Sequence, residues 1–183
     1  MKGNVNDIER VLLSEEEIAA QVKKVAAKLD KDYEGKTPIA ICILKGSLVF
    51  FADLIRAMDT PVEVEFMKVS SYGAGTVSSG RLSVSLDILS NIEGREVLIV
   101  EDIIDSGNTM YALKKMLQGR NPASIRIVSL LDKPSRRTAE IVPDYVCFEI
   151  EDEFVIGYGL DYAEKYRDLP YVGILKRSVY ENP

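Results

Sequence analysis

Runs of apolar residues and the polar breaks between them divide the chain into short, alternating elements. Ser14 stands where a helix cap belongs, with Glu17 three residues on to complete a capping box. Ile18, Val22, Val25, Ala26 and Leu29 follow at helical spacing, and Gly35 ends the run. The stretch PIAICIL, residues 38–44, is uninterrupted and apolar, the pattern of a parallel strand buried on both faces. Lys45-Gly46-Ser47 breaks it, and residues 48–58 then read as a helix. Residues 62–69 and 82–89 alternate as strands, with a small, polar, glycine-rich loop (SSYGAGTVSSGR, residues 70–81) between them, long enough to move. A second buried strand, EVLIV at 96–100, ends in acids; a helix at 109–117 and a third buried strand at 124–131 follow. Beyond Lys133-Pro134 the pattern turns irregular, with short strands at 145–150, 154–158 and 171–175.

This alternation from residue 38 to 131 predicts an α/β fold, a mostly parallel twisted sheet flanked by helices. Ligands of such sheets bind beyond the carboxyl ends of the strands. Three places qualify: Lys45-Gly46-Ser47, the segment after Val100, and Lys133-Pro134. The second is the most informative. Four apolar residues (Val97 to Val100) lead to Glu101-Asp102, two more apolar residues, and Asp105-Ser106-Gly107-Asn108-Thr109 at a helix start. A helix N-terminus with flanking hydroxyls suits a phosphate. Neighbouring carboxylates accept hydrogen bonds from vicinal sugar hydroxyls. Together they predict a sugar phosphate site. Neither a Walker A loop nor a GxGxxG is present, which speaks against nucleoside triphosphates and dinucleotides.

Composition narrows the chemistry. The 183 residues, 46% hydrophobic, are enough for one well-buried core and too few for two ordinary domains. With 29 acids against 23 bases, a net of −6, the chain lacks the basic surface that nucleic acid or an anionic membrane would require. No apolar run approaches the ~20 residues of a membrane span, and the polar, acidic N-terminus is unlike a secretory signal. Cys42 and Cys147 sit inside apolar runs without metal or redox spacing, so both are expected to be buried and reduced, as in a cytoplasmic protein. Histidine is absent. Any general base must then be a carboxylate, lysine or tyrosine, and any metal site must be built from oxygens, favouring Mg²⁺ over Zn²⁺.

The segment Glu101-Asp102-Ile103-Ile104-Asp105-Ser106-Gly107 resembles the phosphoribosyl diphosphate signature of type I phosphoribosyltransferases, and their hypoxanthine-guanine branch in particular. The resemblance extends over residues 44–173. It implies the type I phosphoribosyltransferase fold with a small irregular β-rich hood: one domain over 1–183, its core at about 10–132 and its hood mainly 133–183 with the N-terminal segment. Leu44-Lys45-Gly46-Ser47 resembles the family's first loop, where a cis non-proline peptide after the lysine presents an N–H to the diphosphate. Ser70-Ser71-Tyr72-Gly73 resembles the start of the closing loop, with Ser71 and Tyr72 in it. Lys133 matches the lysine that meets the purine 6-oxo group. The run from Phe154 to Tyr162 is similar to the base-binding hood: Phe154 stacks on the purine, the backbone of Val155 meets its far edge, and Asp161 attends the metal. Arg167 matches an arginine directed at the diphosphate. Asn108 stands where some relatives carry lysine, so one phosphate contact is expected to be weaker or made by backbone.

The reaction implied is replacement of diphosphate at the anomeric carbon by purine N9, giving IMP or GMP in purine salvage. Glu101 and Asp102 hold the ribose hydroxyls and, with Asp161, serve Mg²⁺. Ser106, Gly107, Asn108 and Thr109 hold the 5-phosphate with Asp105. Lys45, Gly46 and Arg167 hold the diphosphate. Asp105 is also the expected general base, accepting the purine N7 proton. A homodimer or homotetramer is expected, with purine and phosphoribosyl diphosphate as the partners and neither nucleic acid nor membrane. The alternatives are a transferase of the same fold for another base, such as xanthine, or an RNA-binding pyrimidine-operon regulator of that fold, which the net charge disfavours.

Overall fold

The computed structural model describes residues 5–71 and 82–181. Its elements run β1 (Ile8–Leu13), α1 (Glu15–Asp32), β2 (Ile39–Ile43), α2 (Leu48–Ala57), β3 (Glu63–Ser71), β4 (Leu82–Leu86), β5 (Glu96–Ile104), α3 (Asn108–Gln118), β6 (Ser124–Asp132), β7 (Tyr145–Glu149), β8 (Val155–Ile156), β9 (Val172–Leu175) and α4 (Arg177–Tyr180). The capping box forms as its sequence predicts: the Glu17 amide donates to Ser14 Oγ at 3.2 Å, and the Ser14 amide donates to Glu17 Oε2 at 2.8 Å. Ile18, Val22, Val25, Ala26 and Leu29 are the buried stripe of α1.

Six strands make one sheet in the order β4-β3-β2-β5-β6-β7, parallel throughout except for the β3–β4 pair at the edge. Every residue of β2 is buried because both faces are covered. Ala40 and Cys42 pack with α1 and α2, whereas Ile39 and Ile41 turn to the other face and meet Met110, Leu113 and Leu117 of α3. Leu98 and Val100 against Val97 and Ile99 repeat that alternation in β5. Such strands keep no polar positions, so their sequence reads as a continuous apolar run. Each fully buried Leu or Ile contributes about 1.5–3 kcal/mol by leaving water. Cys42 and Cys147 are free and buried, and burial pushes the Cys147 thiol up to about 12. No helix among the described residues is long and apolar enough to cross a membrane.

A second sheet, order β1-β9-β8, is antiparallel and ties the two ends of the chain together, with Ile8 opposite Leu175 and Leu13 opposite Val172. The sequence pattern does not announce β1, whose residues are mostly exposed or half-buried.

Three elements differ from the sequence expectation. Strand β5 does not end at its acids but carries them on to Ile104, because β6 continues alongside and pairs with it as far as Asp132. Strand β3 likewise runs through Ser70 and Ser71, which pair with Ser83 and Leu82; Tyr72 and residues 73–81 lie outside the described residues. Tyr145–Glu149, expected in the hood, is the last strand of the main sheet, parallel to β6. Its register is anchored where the Ile127 amide donates to the Asp144 carboxylate at 2.8 Å.

Candidate active site

The carboxyl ends of β2 and β5 and the start of α3 open into one cleft of about 360 Å³. Lys45, Gly46, Glu101, Asp102, Asp105, Ser106, Gly107, Thr109, Asp161 and Arg167 all line it, together with Ile103. Ten of the expected site residues thus converge from four separate stretches of chain. The cis peptide lies between Leu44 and Lys45, one bond earlier than the resemblance implies. The Leu44 amide still completes the β2 ladder by donating to Met67 O at 2.8 Å, so the chain departs from the sheet only at its carbonyl.

Gly46 sits in close contact with its neighbours. A Cβ there would stand 1.6 Å from Asp102 Oδ2, and a Cβ on Gly159 would stand 2.0 Å from Gly46 O. The first loop is therefore wedged between the acids of β5 and the segment that follows β8. Adjacent strand residues ordinarily point to opposite faces, yet Glu101 and Asp102 both line the cleft. Burial first, and then the Asp102 charge beside it, raise Glu101 well above the usual carboxylate range. Asp102 Oδ1 also accepts from the Ile103 amide at 2.8 Å.

The loop from Asp105 to Thr109 is tied down through its carbonyls. The amides of Thr138 and Ala139 donate to Ser106 O at 3.0 and 3.1 Å, and Arg137 Nη1 donates to Asp105 O at 3.2 Å. Gly107, at φ 81°, has no room for a side chain: a Cβ would lie 2.5 Å from Ile141 Cγ2. The N-cap residue Gly107 offers no side chain, and the Asn108 amide reaches Ser106 Oγ only at 3.5 Å, so this helix start suits an anion. Asn108 opens the helix but does not line the cleft; its Nδ2 donates to Thr138 Oγ1 at 3.2 Å.

The purine-side residues stand apart. Lys133, Phe154 and Val155 are not in the lining of this cleft. Lys133 is 7% exposed, and its ammonium donates to Glu153 O at 2.7 Å with Asp152 Oδ1 at 3.6 Å. A buried ammonium needs such partners, and they draw it toward the hood. Phe154 stacks on Tyr180 at 4.8 Å and meets Tyr162 edge-on at 5.7 Å; Val155 is buried in β8. Asp105 is bridged to this group by Arg136, whose Nε donates to Asp105 Oδ1 at 3.0 Å and whose Nη1 donates to Asp152 Oδ2 at 3.2 Å. Sequence reasoning missed Arg136, although the Arg136-Arg137 pair just after Lys133 is a visible cluster of charge.

Across the cleft, Arg167 Nη2 meets Asp161 Oδ1 at 2.8 Å and its Nη1 donates to Gly159 O at 2.8 Å. Glu164, also missed, reaches both Arg167 and Lys45. Its only sequence signal is the spacing of three from Arg167, which marks a surface ion pair and says nothing of Lys45.

The chain is similar to known proteins. A model of the phosphoribosyl transferase domain family matches residues 11–163. Hypoxanthine-guanine phosphoribosyltransferase from Streptococcus pneumoniae R6 is 54% identical over 177 residues, covering 97% of this chain and 98% of that protein. Its namesake from Bacillus subtilis strain 168 is 55% identical with the same coverage, 97% and 98%. Among solved structures, a hypoxanthine phosphoribosyltransferase from Staphylococcus aureus superposes with a TM-score of 0.95 at 49% identity over 100% of both chains. Fold, cleft and relatives agree: the chain belongs to the phosphoribosyltransferase family, in its hypoxanthine-guanine branch.

Proposed function

We infer that this chain transfers the 5-phosphoribosyl group of phosphoribosyl diphosphate to N9 of hypoxanthine or guanine, forming IMP or GMP and diphosphate. The observation that carries this reading is the meeting, in one cleft, of the β5 acids, the uncapped start of α3 and the cations Lys45 and Arg167. That set matches a sugar with a phosphate at one end and a diphosphate at the other. The bond from the anomeric carbon to the diphosphate oxygen breaks as the bond to N9 forms, with inversion, through a state with positive charge near the ring oxygen.

In this reading Glu101 and Asp102 accept from the ribose hydroxyls and lie near that charge. Ser106, Gly107, Asn108 and Thr109 hold the 5-phosphate. Lys45, the Gly46 amide and Arg167 bind the departing diphosphate, and Asp105 takes the N7 proton as N9 attacks. Lys133 donates to the 6-oxo group, and the base lies on the face of Phe154 opposite Tyr180, against the Val155 backbone. The three-stranded sheet and the segment from residue 150 onward are proposed as the hood over the base.

No three His, Cys, Asp or Glu side chains gather into a metal cage among the described residues. Mg²⁺ keeps several waters and takes one or two carboxylates with substrate phosphates, so it needs no closed protein cage. Glu101, Asp102 and Asp161 are the carboxylates that would hold it. When bound, it neutralises charge on the leaving diphosphate.

The reading is tested by incubating the protein with phosphoribosyl diphosphate, Mg²⁺ and a panel of bases, and measuring mononucleotide. IMP and GMP are expected; failure of both to form overturns it. Excess chelator is expected to abolish turnover, with Mg²⁺ or Mn²⁺ restoring it and Zn²⁺ not. Full turnover in chelator, with no metal by elemental analysis, would dismiss the metal. Gly46→Ala forces the Asp102 carboxylate aside, and such a displacement is worth about 10²-fold in kcat/KM. A folded Gly46→Ala protein of unchanged kcat/KM would show that the fit of Gly46 against Asp102 is not needed.

A further inference from the structure

Glu164 stands between the two cations of the diphosphate site. Its Oε1 lies 3.1 Å from Lys45 Nζ and its Oε2 lies 3.2 Å from Arg167 Nη2. One carboxylate thus spans both cations as the edge of a phosphate would. The backbone holds it there. Ala163 and Glu164 have φ of 50° and 62°, a region L residues occupy only where the surroundings fix it. The Glu164 amide donates to Asp161 Oδ2 at 2.8 Å. Lys45 and Arg167 keep the Glu164 carboxyl below the usual range, so it is anionic at neutral pH.

The two acids that meet Arg167 differ in kind. Asp161 pairs with it at 2.8 Å, with side chains 29% and 26% exposed. Glu164 is 64% exposed and its partner Lys45 is 51% exposed, so these contacts are screened and readily broken. Asp161 orients the guanidinium; Glu164 is the removable partner.

We propose that Glu164 is an internal competitor of diphosphate, which holds Lys45 and Arg167 until the anion displaces it and retakes them to help the product leave. The proposal rests on the reading of Lys45 and Arg167 as diphosphate ligands. Only molecules with Glu164 turned away bind at full affinity, which weakens apparent binding by the fraction so turned. Two exposed ion pairs make that factor roughly three- to tenfold.

Calorimetric titration of the whole protein with diphosphate in Mg²⁺ tests this. Glu164→Gln removes the charge and keeps the size; it is expected to bind diphosphate about three- to tenfold more tightly. Raised salt should narrow the gap to wild type. Asp168→Asn is the control, since it removes the same charge from an exposed neighbour that makes neither contact. Equal tightening in both variants would mean a general field effect and overturn the proposal. Unchanged or weaker binding by Glu164→Gln would overturn it too, weaker binding showing that Glu164 positions the cations. Glu164→Ala, checked by thermal melt, should tighten binding in the same direction, and its failure to do so counts against the proposal. Absence of diphosphate binding by the wild type would remove the underlying reading of the site itself.

Discussion

Asp105→Asn is expected to lower kcat by about 10²–10⁴-fold, the usual worth of general base catalysis, with a smaller change in KM. Asp105 lines the cleft, and its Oδ1 accepts from Arg136 Nε at 3.0 Å. Asparagine keeps the shape and still offers Oδ1 to Arg136, so the loop should hold its place. What it loses is the capacity to take a proton. With no histidine in the chain, a carboxylate is the fitting acceptor, and Asp105 is the one that Arg136 joins to the purine-side residues. Steady-state and single-turnover rates decide the matter together, because a slow product release could mask the chemical step. An unchanged rate in both would remove Asp105 from the base role.

Adenine is expected to be a very poor substrate, and Lys133→Ala to cut kcat/KM for hypoxanthine and guanine far more than for adenine. A lysine ammonium has three donors and no acceptor. Glu153 O takes one of them at 2.7 Å, which leaves donors for a base. Hypoxanthine and guanine present a carbonyl oxygen at position 6, whereas adenine presents an amino group, a donor. Setting donor against donor beside a buried charge costs about 1–3 kcal/mol, roughly ten- to a hundredfold. Because Lys133 is buried, Lys133→Met, which keeps the length of the side chain, separates loss of recognition from loss of packing when paired with a thermal melt. Equal use of adenine and hypoxanthine by the wild type, or an unchanged ratio in the variants, would reduce Lys133 to a structural residue of the turn.

Much of this protein is set by short stretches of its sequence. The capping box at Ser14 and the stripe of α1, the two-faced burial of β2 and β5, and the small residues from Asp105 to Thr109 are read within one element each. Helix periodicity, capping and turn chemistry act over a few residues, so a few residues suffice to announce them. The class of ligand follows as well, because acids and a glycine-hydroxyl turn are adjacent in the chain before they are adjacent in space.

Tertiary structure alone decided the rest. Strand β1 has no pattern of its own and exists because β9 offers it a partner across the length of the chain. Tyr145–Glu149 is a short strand in either sheet until β6 takes it. Gly46 lacks room for a side chain only because Asp102 comes to rest against it. Lys133 and Phe154 carry the right chemistry, but Glu153, Asp152 and Tyr180 determine where those side chains turn. Glu164 meets Lys45 from 119 positions away. Each of these contacts joins segments whose separation is fixed by the path of the whole backbone, and no local propensity encodes that path.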